Sequence, residues 1–364
     1  VDPATTSGPA SGAELRWDPA RRDWVVVAAD RTRRPHDAGG AGCPFCPGPT
    51  EDTPAEIWRL SDGQGWRVRV VPNRYPIAAP DATTTPPPPT TTPPPLLSSG
   101  HGGFRRRAGR GHHEVVIESP RHDWDLATAG DDEVLDVLLT WRERARALRA
   151  RSAQVVLFRN HGAASGTSLS HPHSQVVSLP VLPAHTRRRI HAAREHHRRT
   201  GRPLGSDVLD RELADGRRIL LETPDVVVLA PFAGTSNAEL WLQPRTPRAD
   251  VTTVPDSELA DIAACLRQAL AALRTAFDDP PYNLVVDTAP RGWEGADYLS
   301  WQIRIVPRLT TLAGFELATG VPVLTLSPEE AVTRLRAAAP PAPTPARTGP
   351  RDALAAPRPT GAPR

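Results

Sequence analysis

Apolar residues recur along this chain in two matching series. In the first, Glu114-Val-Val-Ile-Glu-Ser-Pro120 predicts a short strand, and a helix opens at Asp131-Asp132, where acidic side chains suit a helix N-terminus. That helix carries Val134, Leu135, Leu138, Leu139, Trp141, Ala145 and Leu148 at three- and four-residue spacing, one apolar face of a 3.6-residue period. Strands at 154–159 and 175–179 follow, separated by a Gly/Ser-rich loop at 160–170. The order returns about 125 residues later. Glu239-Leu-Trp-Leu-Gln243 predicts a strand, and Pro255-Asp-Ser-Glu258 opens a helix with Leu259, Ile262, Leu266, Leu270 and Leu273 on one face. Strands at 282–287 and 301–306 flank a Gly-containing loop. The loops between the paired strands are too short for helical crossovers, so the pattern predicts two α+β halves with antiparallel sheets.

The rest of the chain sets the boundaries. Residues 79–103 hold a Pro/Thr tract that cannot bury enough surface to fold, and residues 338–364 read as an Ala/Pro/Arg tail. Turn-forming residues at 200–206 divide an N-terminal half, 14–200, from a C-terminal half, 201–337.

Composition changes this picture little. The chain has 364 residues, 39% hydrophobic and 23% charged, within the globular range. It contains no Lys; every basic side chain other than His is Arg. The net charge of +3 is matched by the tail alone, where Arg347, Arg351, Arg358 and Arg364 face a single Asp352. The foldable part is therefore balanced, and its charge gives no argument for a nucleic-acid partner. No apolar run reaches the eighteen or so residues of a membrane span, and no secretory leader is recognisable. Three cysteines make no disulfide framework. The expectation is a soluble cytoplasmic protein with no membrane partner.

Two motifs carry candidate chemistry. Cys43-Pro-Phe-Cys46 has the spacing that brings two thiolates to one side of a tight turn, as a tetrahedral metal requires. A redox dithiol needs a helix after the motif, and Pro47-Gly48-Pro49 excludes one, so metal is the stronger reading. Further ligands would come from His112 or His113 and from His171 or His173. Cys265 lies among Ala and Leu on a helix and reads as core.

The second motif is His171-Pro-His-Ser-Gln175, which follows the small-residue loop starting at Asn160. Residues i and i+2 of a strand share a face. One imidazole could thus bind metal while the other attacks phosphorus, with Gln175 on the same face donating to the phosphoryl oxygens. A bare pair of surface histidines would be the plainer explanation; the loop before it and the Gln after it favour a site. His191, His196 and His197 lie in an Arg-rich helical stretch and read as a solvated basic face.

With these motifs the sequence resembles the galactose-1-phosphate uridylyltransferase family, the transferase branch of the histidine-triad superfamily. The likeness runs from about 14 to 337 and also includes Trp24-Val-Val-Val, Arg31-Thr-Arg-Arg34-Pro35, Val71-Pro-Asn73-Arg-Tyr-Pro76 and Pro307-Arg-Leu-Thr-Thr-Leu-Ala-Gly-Phe-Glu316. The resemblance implies duplicated histidine-triad-like α+β halves and a ping-pong transfer of UMP from UDP-glucose to a hexose 1-phosphate, galactose 1-phosphate in the family. It makes His173 the nucleophile and Gln175 its phosphoryl-binding partner. It implies a structural zinc on Cys43, Cys46, His113 and His171. Arg31, Arg34, Asn73, Asn160 and Ser168 match nucleotide and phosphate contacts, and Phe315 and Glu316 match the sugar-binding region. It further implies a homodimer whose sites are completed by the neighbouring subunit. Two departures stand out. Ser300-Trp301-Gln302 replaces a His-Trp-His strand that supplies a second metal site in many members, so one zinc is expected. Ser174 replaces a Gly and is similar to the branch containing ADP-glucose phosphorylases, which leaves adenylyl transfer as an alternative, beside a zinc-stabilised nucleotide-sugar binder without turnover.

Overall fold

The predicted helix α1 spans Asp131–Arg149, and the Glu133 carboxylate accepts the Gly130 N–H at its start, 2.9 Å away. Its counterpart α4 spans Asp256–Phe277. The two pack on each other and share one core, in which Val134, Leu138 and Leu148 meet Leu259, Ile262, Leu266 and Leu270. Cys265 is buried in that core, as its neighbours predicted. This computed structural model describes residues 13–33, 42–63, 65–80 and 105–339. Most of the Pro/Thr tract, nearly all of the tail, and Arg34 lie outside the described residues.

The sheets of the two series join into one. Its strands are β3 (Trp58–Ser61), β4 (Trp66–Pro72), β6 (His112–Ile117), β7 (Gln154–His161), β8 (His173–Leu179), β9 (Ile219–Glu222), β10 (Val226–Leu229), β11 (Leu240–Pro244), β12 (Tyr282–Asp287) and β13 (Gln302–Pro307). Their order is β3-β4-β6-β8-β7-β12-β13-β11-β10-β9, and every neighbouring pair is antiparallel. The seam is β7 against β12, where Tyr282 opposes His161 and Val286 opposes Leu157. A separate three-stranded sheet pairs β1 (Glu14–Asp18) with β2 (Asp23–Val27) and β5 (Arg105–Ala108).

Strand alternation assigns the two faces. On β8, Val176 enters the core beneath α1, while His173 and Gln175 face the opposite side. In the second half that opposite side is covered by α2 (Ala184–Thr200) and α3 (Leu204–Asp215), joined through the turn at 201–203. Val226 and Val228 meet the α4 core, whereas Val227 and Leu229 pack beside Leu209 of α3. Burial on both faces explains why β10 reads as an unbroken apolar run. Short helices α5 (Gly314–Thr319) and α6 (Pro328–Ala338) complete the described chain, with α6 packed on α4. Among the described residues no helix is long and apolar enough to cross a membrane.

Candidate active site and metal centre

The metal centre assembles at the mouth of β8. Cys43 and Cys46 lie on a tight turn closed by Cys46 N–H donating to the Cys43 carbonyl at 3.3 Å. His171 precedes β8, and its Nδ1 lies 3.6 Å from Cys43 Sγ and 3.5 Å from Cys46 Sγ. The fourth member is His122, whose Nδ1 is 3.4 Å from Cys46 Sγ. All four ligand atoms fall within 4.8 Å of one another. A tetrahedral ion bound at about 2.3 Å to sulfur and 2.0 Å to nitrogen separates S from N by about 3.5 Å, so the cluster already has the spacing of a bound ion.

The expected ligand His113 is not in this group. In the β6–β8 register His113 opposes Val177, while Ile117 opposes His173. His113 thus sits six residues along from His171, roughly 20 Å at the rise of an extended strand. The ligand on this side must follow Ile117, and His122 does.

Burial pushes the Cys46 thiol up to about 11, with the neighbouring Cys43 adding to the effect. Burial also lowers His171 to about 4, against an opposing hydrogen bond to the Ser119 carbonyl. His171 is therefore neutral near pH 7. Its Nε2–H donates to Ser119 O at 2.9 Å, which leaves the Nδ1 lone pair facing the thiols.

His173 stands one strand step beyond. Its Nδ1–H donates to the His171 carbonyl at 2.9 Å, so the lone pair resides on Nε2. Phe45, between the two cysteines, packs edge-on against both His171 and His173, at 5.9 and 5.5 Å between centroids. The metal turn and the β8 imidazoles are therefore in direct contact. His173 and Gln175 line one pocket with Phe45, Asn73, Arg74, Tyr75 and Ser168. Arg74 and Asp52 form an ion pair at 2.6 Å on its wall, and the Arg74 guanidinium holds the Asp52 carboxyl below the usual range.

Other expected contacts stand in varied places. Arg31 donates to the carbonyl of pocket residue Tyr75 at 2.7 Å, in the short 3-10 turn Ala29–Arg33. Asn160 accepts from Asn283 across the seam at 2.8 Å and is not in the pocket lining. Phe315 and Glu316 sit on α5, outside the lining; Phe315 is exposed, and Glu316 accepts the Ala313 N–H. Ser174, on the core face of β8, accepts the Trp141 indole N–H at 2.7 Å and faces away from the pocket. In the second half, Gln302 of the Ser300-Trp301-Gln302 segment donates to Asp287 at 3.2 Å, and Arg304 lies 3.0 Å from the same carboxylate.

Sequence reasoning missed His122 and Arg74. His122 lies two residues beyond Pro120, in the connection after β6, so pairing β6 with β8 would have found it. Arg74 lies inside a quoted motif, and its position beside Asn73 was the available signal.

The fold is an antiparallel sheet with packed helices, and on it two imidazoles two residues apart diverge, His171 toward a Cys2His2 cluster and His173 toward a polar pocket. The model of the family described as "Galactose-1-phosphate uridyl transferase, N-terminal domain" matches residues 11–183. The chain belongs to the galactose-1-phosphate uridylyltransferase family. It is 30% identical over 237 residues to galactose-1-phosphate uridylyltransferase of Haemophilus influenzae, covering 63% of this chain and 67% of that protein. It is 29% identical over 338 residues to ADP-glucose phosphorylase of Arabidopsis thaliana, covering 89% and 92%. A solved uridylyltransferase structure superposes with a TM-score of 0.72 at 29% identity, covering 89% of this chain and 98% of that one.

Proposed function

We propose that this enzyme moves UMP from UDP-glucose to a hexose 1-phosphate, galactose 1-phosphate by the family reading, through a covalent uridylyl-His173. His173 Nε2 attacks the α-phosphorus; the N–P bond forms as the P–O bond to the β-phosphate breaks. Glucose 1-phosphate leaves with that electron pair. A phosphate oxygen of the acceptor then attacks the same phosphorus, forming the UDP-hexose and returning the lone pair to Nε2. The observation that carries this reading is the Nδ1–H bond to the His171 carbonyl, which keeps a nucleophilic lone pair on Nε2 with Gln175 in the same pocket. Gln175 donates to the phosphoryl oxygens as charge develops. Asn73 and Ser168 contact the nucleotide from the pocket wall, and Arg31 acts beside Tyr75 at its margin. Arg34 and Asn160 keep the nucleotide and phosphate contacts that the family resemblance gives them.

The metal is zinc, held by Cys43, Cys46, His122 and His171. Four protein ligands close the coordination sphere, so zinc supplies structure there rather than an open position for substrate. Phe315 and Glu316 reach the sugar from a neighbouring subunit of a homodimer; the exposed Leu312, Phe315, Leu317, Val321 and Val323 around α5 support that role.

A second reading, adenylyl transfer from ADP-glucose to phosphate, draws on the near full-length match to the Arabidopsis phosphorylase. Isotope exchange separates the two. Labelled glucose 1-phosphate should enter UDP-glucose with no second acceptor present, as ping-pong chemistry requires. Exchange into ADP-glucose instead would assign the second reading; no exchange into either would contradict a covalent route.

A further inference from the structure

The histidine displaced from the metal centre has a different set of partners. Ile77 N–H lies 3.1 Å from His113 Nδ1. A backbone N–H can only donate, so Nδ1 must carry the lone pair and Nε2 the proton. That Nε2–H lies 2.8 Å from Gln175 Oε1, with both side chains buried. Asn73 does not compete for the bond. Its Oδ1 accepts the Tyr75 N–H at 2.8 Å, which turns its Nδ2 toward His113 Nε2 at 3.1 Å. Two donors face each other there, so the Nε2 proton goes to Gln175.

We propose that His113 is a positioning residue that selects which end of the Gln175 amide meets the transferred phosphoryl group. The two ends of a glutamine amide have nearly the same shape but opposite polarity. With Oε1 held by His113, the NH2 end is the one presented to an anionic oxygen. With the amide reversed, a carbonyl dipole would face that oxygen and repel it. His113 touches neither phosphorus nor leaving group; it acts through Gln175. The proposal rests on the His173 reading for its kinetic consequence, but the tautomer and the hydrogen bond exist without turnover.

Two measurements test it. Long-range nitrogen NMR on histidine-labelled protein should show His113 as the Nε2–H tautomer, with Nδ1 shifted as an acceptor. The Nδ1–H tautomer would overturn the proposal whether or not the protein is an enzyme. In single-turnover nucleotidylation, His113→Leu should slow the step about 10- to 100-fold with little change in the substrate concentration for half-maximal rate. His113→Gln, which restores an amide N–H near the Nε2 position, should recover most of the rate. In a Gln175→Ala background, His113→Leu should cost less than about 2-fold, because its effect passes through the missing amide. Full additivity in that background would overturn the proposal. Absence of nucleotidylation in the wild type would instead defeat the reading of His173 and leave the tautomer measurement to decide the role of His113.

Discussion

At the scale of single residues, His122 stands in the cluster where the sequence led us to expect His113, nine positions earlier. His122→Ala should therefore abolish stoichiometric metal in the purified protein, measured by elemental analysis, while His113→Ala should keep it. The reverse pattern would contradict the assignment. That His173 and Gln175 share a face and a pocket was legible in the sequence because strand alternation is local and holds whatever the sheet does. The fourth ligand was not, because it depends on which strand pairs with β8 and in which register. Ser174 gives a second case. As an exchange for Gly it invites a role in nucleobase choice, yet its side chain accepts from Trp141 beneath the sheet. Ser174→Gly should cost about 2 kcal/mol by leaving a buried indole N–H without a partner. Its ratio of activity with UDP- and ADP-glucose should stay unchanged; an altered ratio would bring Ser174 back as a specificity residue.

At the scale of elements, Asp287 joins three of them. It ends β12, with His185 and Arg189 of α2 each 3.6 Å away and Arg304 of β13 at 3.0 Å. Burial alone would raise its carboxyl; His185 and the charges of Arg189 and Arg304 outweigh burial and hold it well below its ordinary 3.8. The folded carboxyl thus binds fewer protons than the unfolded one. Its stabilisation is complete above the unfolded value and is lost as pH falls through the folded one. Asp287→Asn should destabilise the protein by about 3 kcal/mol near neutral pH, since it leaves arginines without their counter-charge. Urea unfolding of both proteins should show that difference narrowing as pH drops below about 4; a constant difference would assign the loss to packing. The helices of both series were readable from apolar spacing alone. That β7 and β12 pair edge to edge was not, because nothing in either strand's local pattern marks its partner.

At the scale of the whole molecule, the Cys-containing turn, the start of β8 and the connection after β6 come together at the Cys43, Cys46, His122 and His171 cluster. Removing the metal should loosen all three together. Chelation should lower the melting temperature by several degrees and slow nucleotidylation, with both restored by added zinc. An unchanged melting temperature after confirmed metal loss would mean that packing alone holds the site. The seam has its own lock: buried Arg159 on β7 pairs with Glu118 at 2.9 Å and donates to the Tyr282 hydroxyl of β12 at 2.8 Å. Such a contact, more than a hundred residues apart in sequence, explains why the repeat was visible in the chain while the single sheet it builds was not.

The central claim is the covalent histidine. The direct measurement is incubation of the enzyme with UDP-glucose labelled at the α-phosphorus, followed by peptide mapping, with His173→Ala alongside. Acid-labile, base-stable label should appear on the peptide carrying His173 and be absent from the variant. Label retained in His173→Ala, or product formed by the wild type with no label on the protein at any time, would contradict it.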